Sequence, residues 1–262
     1  MGETNYKSAL KDVSWLREPE AIIVGWRGSI AHGTYEPHNN PNSIDDKDIL
    51  SVVVPGLEHY FGLENWGSRG VKELARDEWD CVGYELRKFV SLLCKGNPNV
   101  IGMLWLARED YLLLTECGKL LIDNRRLFST RQAYHSFSGY AHGQLHRMTH
   151  YAFEGYMGAK RKALVDKHGY DTKNAAHLIR LLRMGIEFLT EGELHVKRQD
   201  ASQLLEIKHG EWTLERVKTE ADRLFALAEE SYVRSTLPNN IDTDAVNSML
   251  ITIIENRFGG TP

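Results

Sequence analysis

Two short apolar runs, each joined to a polar signature, limit what this chain can fold into. Ala21-Ile22-Ile23-Val24-Gly25-Trp26 has the continuity of a short buried strand, and Arg27-Gly28-Ser29 follows it. Ile49-Leu50-Ser51-Val52-Val53-Val54 is a second such run, opened by Asp46-Lys47-Asp48 and ended by Pro55-Gly56. Residues two apart on a strand project to one face, so Asp46 and Asp48 can hold one divalent ion between them. A Gly28-Ser29 turn lets a triphosphate approach the backbone without a side-chain clash. That combination suits nucleotidyl transfer.

Such chemistry needs a third carboxylate on a neighbouring strand. Asp80, inside Trp79-Asp80-Cys81-Val82-Gly83, is the expected one, with Glu78 and Glu85 as substitutes under a shifted register. Asp45 is expected on the opposite strand face from Asp46. The oxygen-only donor set calls for Mg2+, or Mn2+ in its place. Ser29 is expected to meet the γ-phosphate of an NTP at a helix start. Arg27 either adds charge there or sits on the surface.

The motifs also form an ordered series. Gly28-Ser29-x-Ala31-x-Gly33-Thr34 precedes Asp46-x-Asp48-Ile49, then Asp80-x-Val82-x-Tyr84-Glu85-Leu86-Arg87-Lys88-Phe89, then Lys95-Gly96-Asn97-Pro98-Asn99. Tyr170-Asp171-Thr172-Lys173-Asn174-Ala175-Ala176-His177-Leu178-Ile179-Arg180-Leu181-Leu182-Arg183 follows. The series resembles the DNA polymerase β-like nucleotidyltransferase superfamily, in the branch of predicted nucleotidyltransferases associated with RNA ligases. The resemblance implies a metal-dependent transfer of NMP to a hydroxyl, in RNA repair or RNA end modification. One departure is the segment Tyr35-Glu36-Pro37-His38-Asn39-Asn40-Pro41-Asn42-Ser43, longer than the pattern usually carries, which bears on the pocket rim.

The remaining elements read as an α+β chain: a small mixed sheet with helices, followed by a helical C-terminal region. Residues 1–110 are the expected catalytic core and 111–262 the helical domain. A first helix is expected over Ser8 to Arg17, a third strand over Glu78 to Gly83, and a helix from Tyr84 carrying Leu86, Phe89, Val90 and Leu93. Asn99 is a candidate cap for the next helix. Glu58 to Gly70 reads as an exposed loop able to cover the pocket. Only helices are expected beyond Asn99: Leu112 to Ile122, Ser129 to Tyr151, Asp171 or Thr172 to Thr190, Thr213 to Ser235 and Asp242 to Asn256.

Lys173, His177 and Arg180 fall at i, i+4 and i+7, with Arg183 on the adjacent edge, opposite an apolar face. No acid interrupts them, so an anionic partner is expected, the triphosphate or an RNA end. Lys160, Arg161 and Lys162 form a second cluster. His142, His146 and His150 make a stripe with His135, without the glutamate or cysteine pair of a zinc site. Trp79, Trp105 and the tyrosines at 134, 140, 151 and 156 read first as packing, though a base can stack on one of them.

A net charge of −4 argues against a broad basic coat for duplex nucleic acid. No apolar stretch approaches the roughly 20 residues of a membrane span, so no membrane partner is expected. Three cysteines without metal-like spacing point to a reducing, cytoplasmic compartment. The rival readings are NMP transfer to a protein or small molecule, a nucleotide-binding regulatory module without turnover, and a phosphohydrolase built on the histidine stripe.

Overall fold

The structure, a computed structural model, describes residues 3–37, 45–150 and 159–259. Five strands form one mixed sheet: β1 (Ala21–Trp26), β2 (Lys47–Val53), β3 (Val71–Arg76), β4 (Trp79–Glu85) and β5 (Tyr111–Leu114), in the order β3-β4-β2-β1-β5. Every residue of β1 is buried, as a continuous apolar run at a sheet interior requires. β1 runs antiparallel to both neighbours, whereas β2 and β4 are parallel. A parallel pair needs a crossover, here supplied by residues 54–70, which leave the sheet before the β3–β4 hairpin returns to it.

The first helices are short: α1 (Glu3–Ala9), α2 (Gly28–His32), α3 (Glu58–Phe61), α4 (Leu86–Leu93), α5 (Pro98–Ile101) and α6 (Glu116–Asp123). Leu86, Phe89, Val90 and Leu93 of α4 are buried as their spacing dictates. The helical region continues with α7 (Ala133–His150), α8 (Ala159–His168), α9 (Thr172–Glu191), α10 (Ala201–Lys208), α11 (Leu214–Arg234) and α12 (Thr243–Phe258). Asp171 caps α9 by accepting from the Asn174 N–H at 2.9 Å. Leu178, Ile179, Leu182, Phe188 and Leu189 of α9 are buried between α7, α10 and α11. Full burial of each such side chain contributes about 1.5–3 kcal/mol, so packing rather than propensity sets the position of α9.

Several expectations need correction. The stretch Tyr111–Leu114, expected to begin a helical domain, is strand β5, hydrogen-bonded to β1 across the boundary at residue 110. β3 was not expected at all. The first helix ends at Ala9, and a 3-10 turn at Ser14–Leu16 buries Trp15 and Leu16 instead. β4 extends to Glu85, and Asn97 rather than Asn99 caps α5. α8 and α10 are additions. Tyr151, Tyr156, residues 38–43 of the long segment and the side chains of His150 and Lys160 lie outside the described residues. Among the described residues, no helix is long and apolar enough to cross a membrane.

Candidate active site

Because β1 and β2 are antiparallel, the turn after β1 lies beside the start of β2. The Arg27 N–H donates to the Asp48 carbonyl at 3.0 Å. Because β2 and β4 are parallel and in register, Asp48 and Asp80 are direct partners on adjacent strands. Gly28 sits against this pair at φ 60°, and a Cβ there would lie 2.1 Å from Asp48 Oδ2. Only glycine fits. These residues border a cavity of 380 Å3, within the size range of small-ligand sites.

The carboxylate floor consists of Asp46, Asp48 and Asp80. Burial pushes the Asp48 carboxyl up to about 6; Asp80 and Asp46 push the same way, while Arg27 and Lys173 act against it. Arg27 does not sit idle on the surface: its guanidinium reaches both Asp80 and Asp48. Among the described residues, no three His, Cys, Asp or Glu side chains converge as a ready metal cage. The substitute carboxylates are engaged elsewhere. Glu78 pairs with Lys47 at 2.6 Å, and Glu85 caps α4 by accepting from the Arg87 and Lys88 N–H groups.

Ser29 Oγ is buried without a hydrogen-bond partner among the described residues, a state that costs free energy unless a ligand pairs it. The expected basic face divides. Lys173, His177 and Arg180 line the cavity. Among the described residues, Arg180 has no carboxylate at ion-pair distance; its guanidinium donates to Met184 Sδ at 3.2 Å, and burial lowers its pKa to about 10. Burial, then Arg180, Lys173 and Arg161, hold His177 well below the usual histidine range, so it offers a neutral ring rather than charge. Arg183 is not among the residues that line the cavity: it bonds Asp200 at 2.7 Å and Glu220 at 3.3 Å. A helical wheel cannot reveal those acids, which belong to other elements.

Asp45 also departs from expectation. It precedes β2, lines the cavity, and is held between Lys173 (3.4 Å) and Lys208 (2.5 Å). Lys208 and Arg161 are cavity residues that sequence reasoning had not assigned there individually. Arg161 bonds Asp171 at 2.8 Å. His32 donates from Nδ1 to the Val196 carbonyl at 3.0 Å, because a carbonyl only accepts and burial keeps the ring neutral. Met103, Leu106, Leu181, Val196 and Leu204 supply apolar wall. No residue of the 58–70 segment lines the cavity. Two histidines of the stripe go into packing: His142 stacks on Phe225, with ring centres 4.2 Å apart, and His135 lies against Tyr134 and Tyr232.

A family model described as RNA repair pathway DNA polymerase beta family matches residues 9–252. Among solved structures, a nucleotidyltransferase-like protein from Exiguobacterium sibiricum 255-15 aligns over 97% of this chain and 79% of its own. That alignment has 11% identity and a TM-score of 0.27. No curated protein matches the chain.

Proposed function

The chain belongs to the RNA repair pathway DNA polymerase beta family, and from that premise we propose that it transfers an NMP from an NTP to a hydroxyl on an RNA end. One observation carries the reading: the in-register pair Asp48 and Asp80 beside the partnerless Ser29 hydroxyl. The oxygen donors Asp46, Asp48 and Asp80 fit Mg2+ or Mn2+, and Gly28 leaves the approach to Asp48 open. A bound divalent ion would neutralise charge at the α-phosphate and lower the acceptor hydroxyl's pKa.

The chain's own groups do the rest. Ser29 donates to a terminal phosphate oxygen, and Arg180 and Lys173 balance phosphate charge. The acceptor oxygen bonds to the α-phosphorus as the bond from that phosphorus to the pyrophosphate oxygen breaks. Pyrophosphate leaves with the electron pair. Asp80, 46% exposed against 23% for Asp48, is the carboxylate open to an acceptor and takes its proton. The proposed compartment is the cytosol, in keeping with three free cysteines.

The test is incubation with each α-labelled NTP and RNA bearing free hydroxyl ends, in Mg2+, Mn2+ or EDTA. Metal-dependent label in RNA with equimolar pyrophosphate is the expected result. Label on protein or a small molecule would move the acceptor assignment. No pyrophosphate under any condition would reduce the chain to a nucleotide-binding module.

A further inference from the structure

Gln144 is 7% exposed and lines the cavity, and its Oε1 is buried without a hydrogen-bond partner among the described residues. Nothing in the transfer chemistry uses it. A buried carboxamide oxygen left unpaired is unfavourable in the free protein, and a ligand that donates to it removes the deficit. One helical turn earlier on the same face of α7, Tyr140 also lines the cavity, with 36% of its surface exposed. Its hydroxyl accepts from Asn97 Nδ2 at 3.1 Å, and Asn97 in turn caps α5. The ring is thereby tied to a second element and held as a fixed flat surface at the cavity wall.

We propose that Tyr140 and Gln144 form the nucleobase subsite, Tyr140 as stacking platform and Gln144 as the group that selects an amino group beside a bare ring nitrogen, the edge of adenine and cytosine. This rests on the nucleotidyl-transfer reading above and deepens it. A carboxamide presents a donor and an acceptor side by side, which matches the amino group and neighbouring bare ring nitrogen of adenine and, equally, of cytosine. The stacking surface is indifferent to base identity, because every base has a π-face. Selection therefore falls to Gln144 and affinity to Tyr140. A carboxylate in place of Gln144 only accepts, and guanine, with adjacent N1–H and N2–H donors, is the base that matches it.

The experiment titrates the intact protein with α,β-methylene analogues of ATP, GTP, CTP and UTP in Mg2+, alongside thermal melts and RNA binding. Wild type is expected to prefer the adenine and cytosine analogues. Gln144→Leu is expected to lose about 10- to 100-fold for those two analogues alone, levelling the four, with a melting temperature at or above wild type. Gln144→Glu is expected to move the preference to guanine. Tyr140→Ser is expected to weaken all four analogues about 10-fold, while Tyr140→Phe, which keeps the ring and loses only its tie to Asn97, is expected to weaken them much less.

Unchanged affinities in Gln144→Leu, with wild type still binding NTP, overturn this subsite and leave the transferase reading standing. Loss of RNA binding alone places Gln144 at the acceptor and also overturns it. A lowered melting temperature with equal losses for all four analogues makes Gln144 a packing residue, again against the proposal. A wild type that binds no NTP overturns both readings.

Discussion

Arg27 Nη2 stands 3.2 Å from Asp80 Oδ2, and the same nitrogen is 3.8 Å from Asp48 Oδ1. A guanidinium from the turn after β1 thus shares two carboxylates that neighbouring parallel strands force together. Without a cation there, adjacent negative charges at this spacing repel. Arg27 supplies that cation from within the chain, and any divalent ion at the same carboxylates competes with it.

Removing the guanidinium separates the two roles. Arg27→Met is expected to lower metal-free stability by about 0.5–1 kcal/mol, a modest figure because the partners are part-exposed. The same variant is expected to gain more from Mn2+ than wild type does. Thermal melts with and without Mn2+ check both signs; an equal Mn2+ shift in the two proteins would show that Arg27 and the ion do not compete.

Asp48 gives a pH signature. Its carboxyl titrates near 6, above its ordinary 3.8, so the folded protein holds this proton more tightly than the unfolded chain. The group is therefore neutral to stability below about pH 4, and its destabilising effect grows with rising pH until it is complete above pH 6. Asp48→Asn is expected to raise metal-free stability by about 1–3 kcal/mol at pH 7.5, to add little at pH 4, and to abolish Mn2+ binding and turnover. Denaturant melts at both pH values decide the sign, and wild-type turnover would remove Asp48 from the site.

Ser29→Ala deletes a hydroxyl that has no partner among the described residues. Stability is expected to hold or rise slightly, while NTP affinity falls by about 1 kcal/mol. Calorimetric titration beside a melting curve separates the two effects. A destabilised variant with unchanged NTP affinity would make Ser29 a structural residue.

Arg180 and Arg183 are neighbours on one helix with opposite expectations. Arg180→Ala is expected to weaken NTP binding by about 1.5–3 kcal/mol, the range for a charged hydrogen bond, with little effect on folding. Arg183→Ala removes one of two arginine partners from each of Asp200 and Glu220, which keep Arg198 and Arg223, and is expected to destabilise by about 0.5–1 kcal/mol with NTP affinity retained. Measuring affinity and stability on both variants checks the division; equal NTP losses would return Arg183 to the site.

The parts legible in sequence were those carried by local signals. β1 and β2 were continuous apolar runs, α4 and α9 had 3.6-residue periods, and Asp171 was a cap followed by such a period. β5 was misread because Leu112-Leu113-Leu114 has no period of its own and a helix follows directly. β3 was missed because Val71-Lys72-Glu73-Leu74-Ala75-Arg76 is a half-exposed edge strand rich in charge. Site residues divided the same way. The Gly28-Ser29 turn and the aspartates announce themselves by spacing, whereas the engagement of Arg27 and Arg183, and the isolation of Gln144, depend on which distant elements come near.

The buried Asp45 has a consequence for how this chain can be divided. Its carboxylate, one residue before Asp46, is gripped by Lys173 from α9 and Lys208 from α10. Cutting the polypeptide after the sheet would remove both lysines, and the segment bearing Asp45, Asp46 and Asp48 would lose that anchor. The C-terminal helices are thus a condition for the shape of the aspartate segment, and neither half is a transplantable unit. Evolution or design must therefore change Asp45, Lys173 and Lys208 in concert.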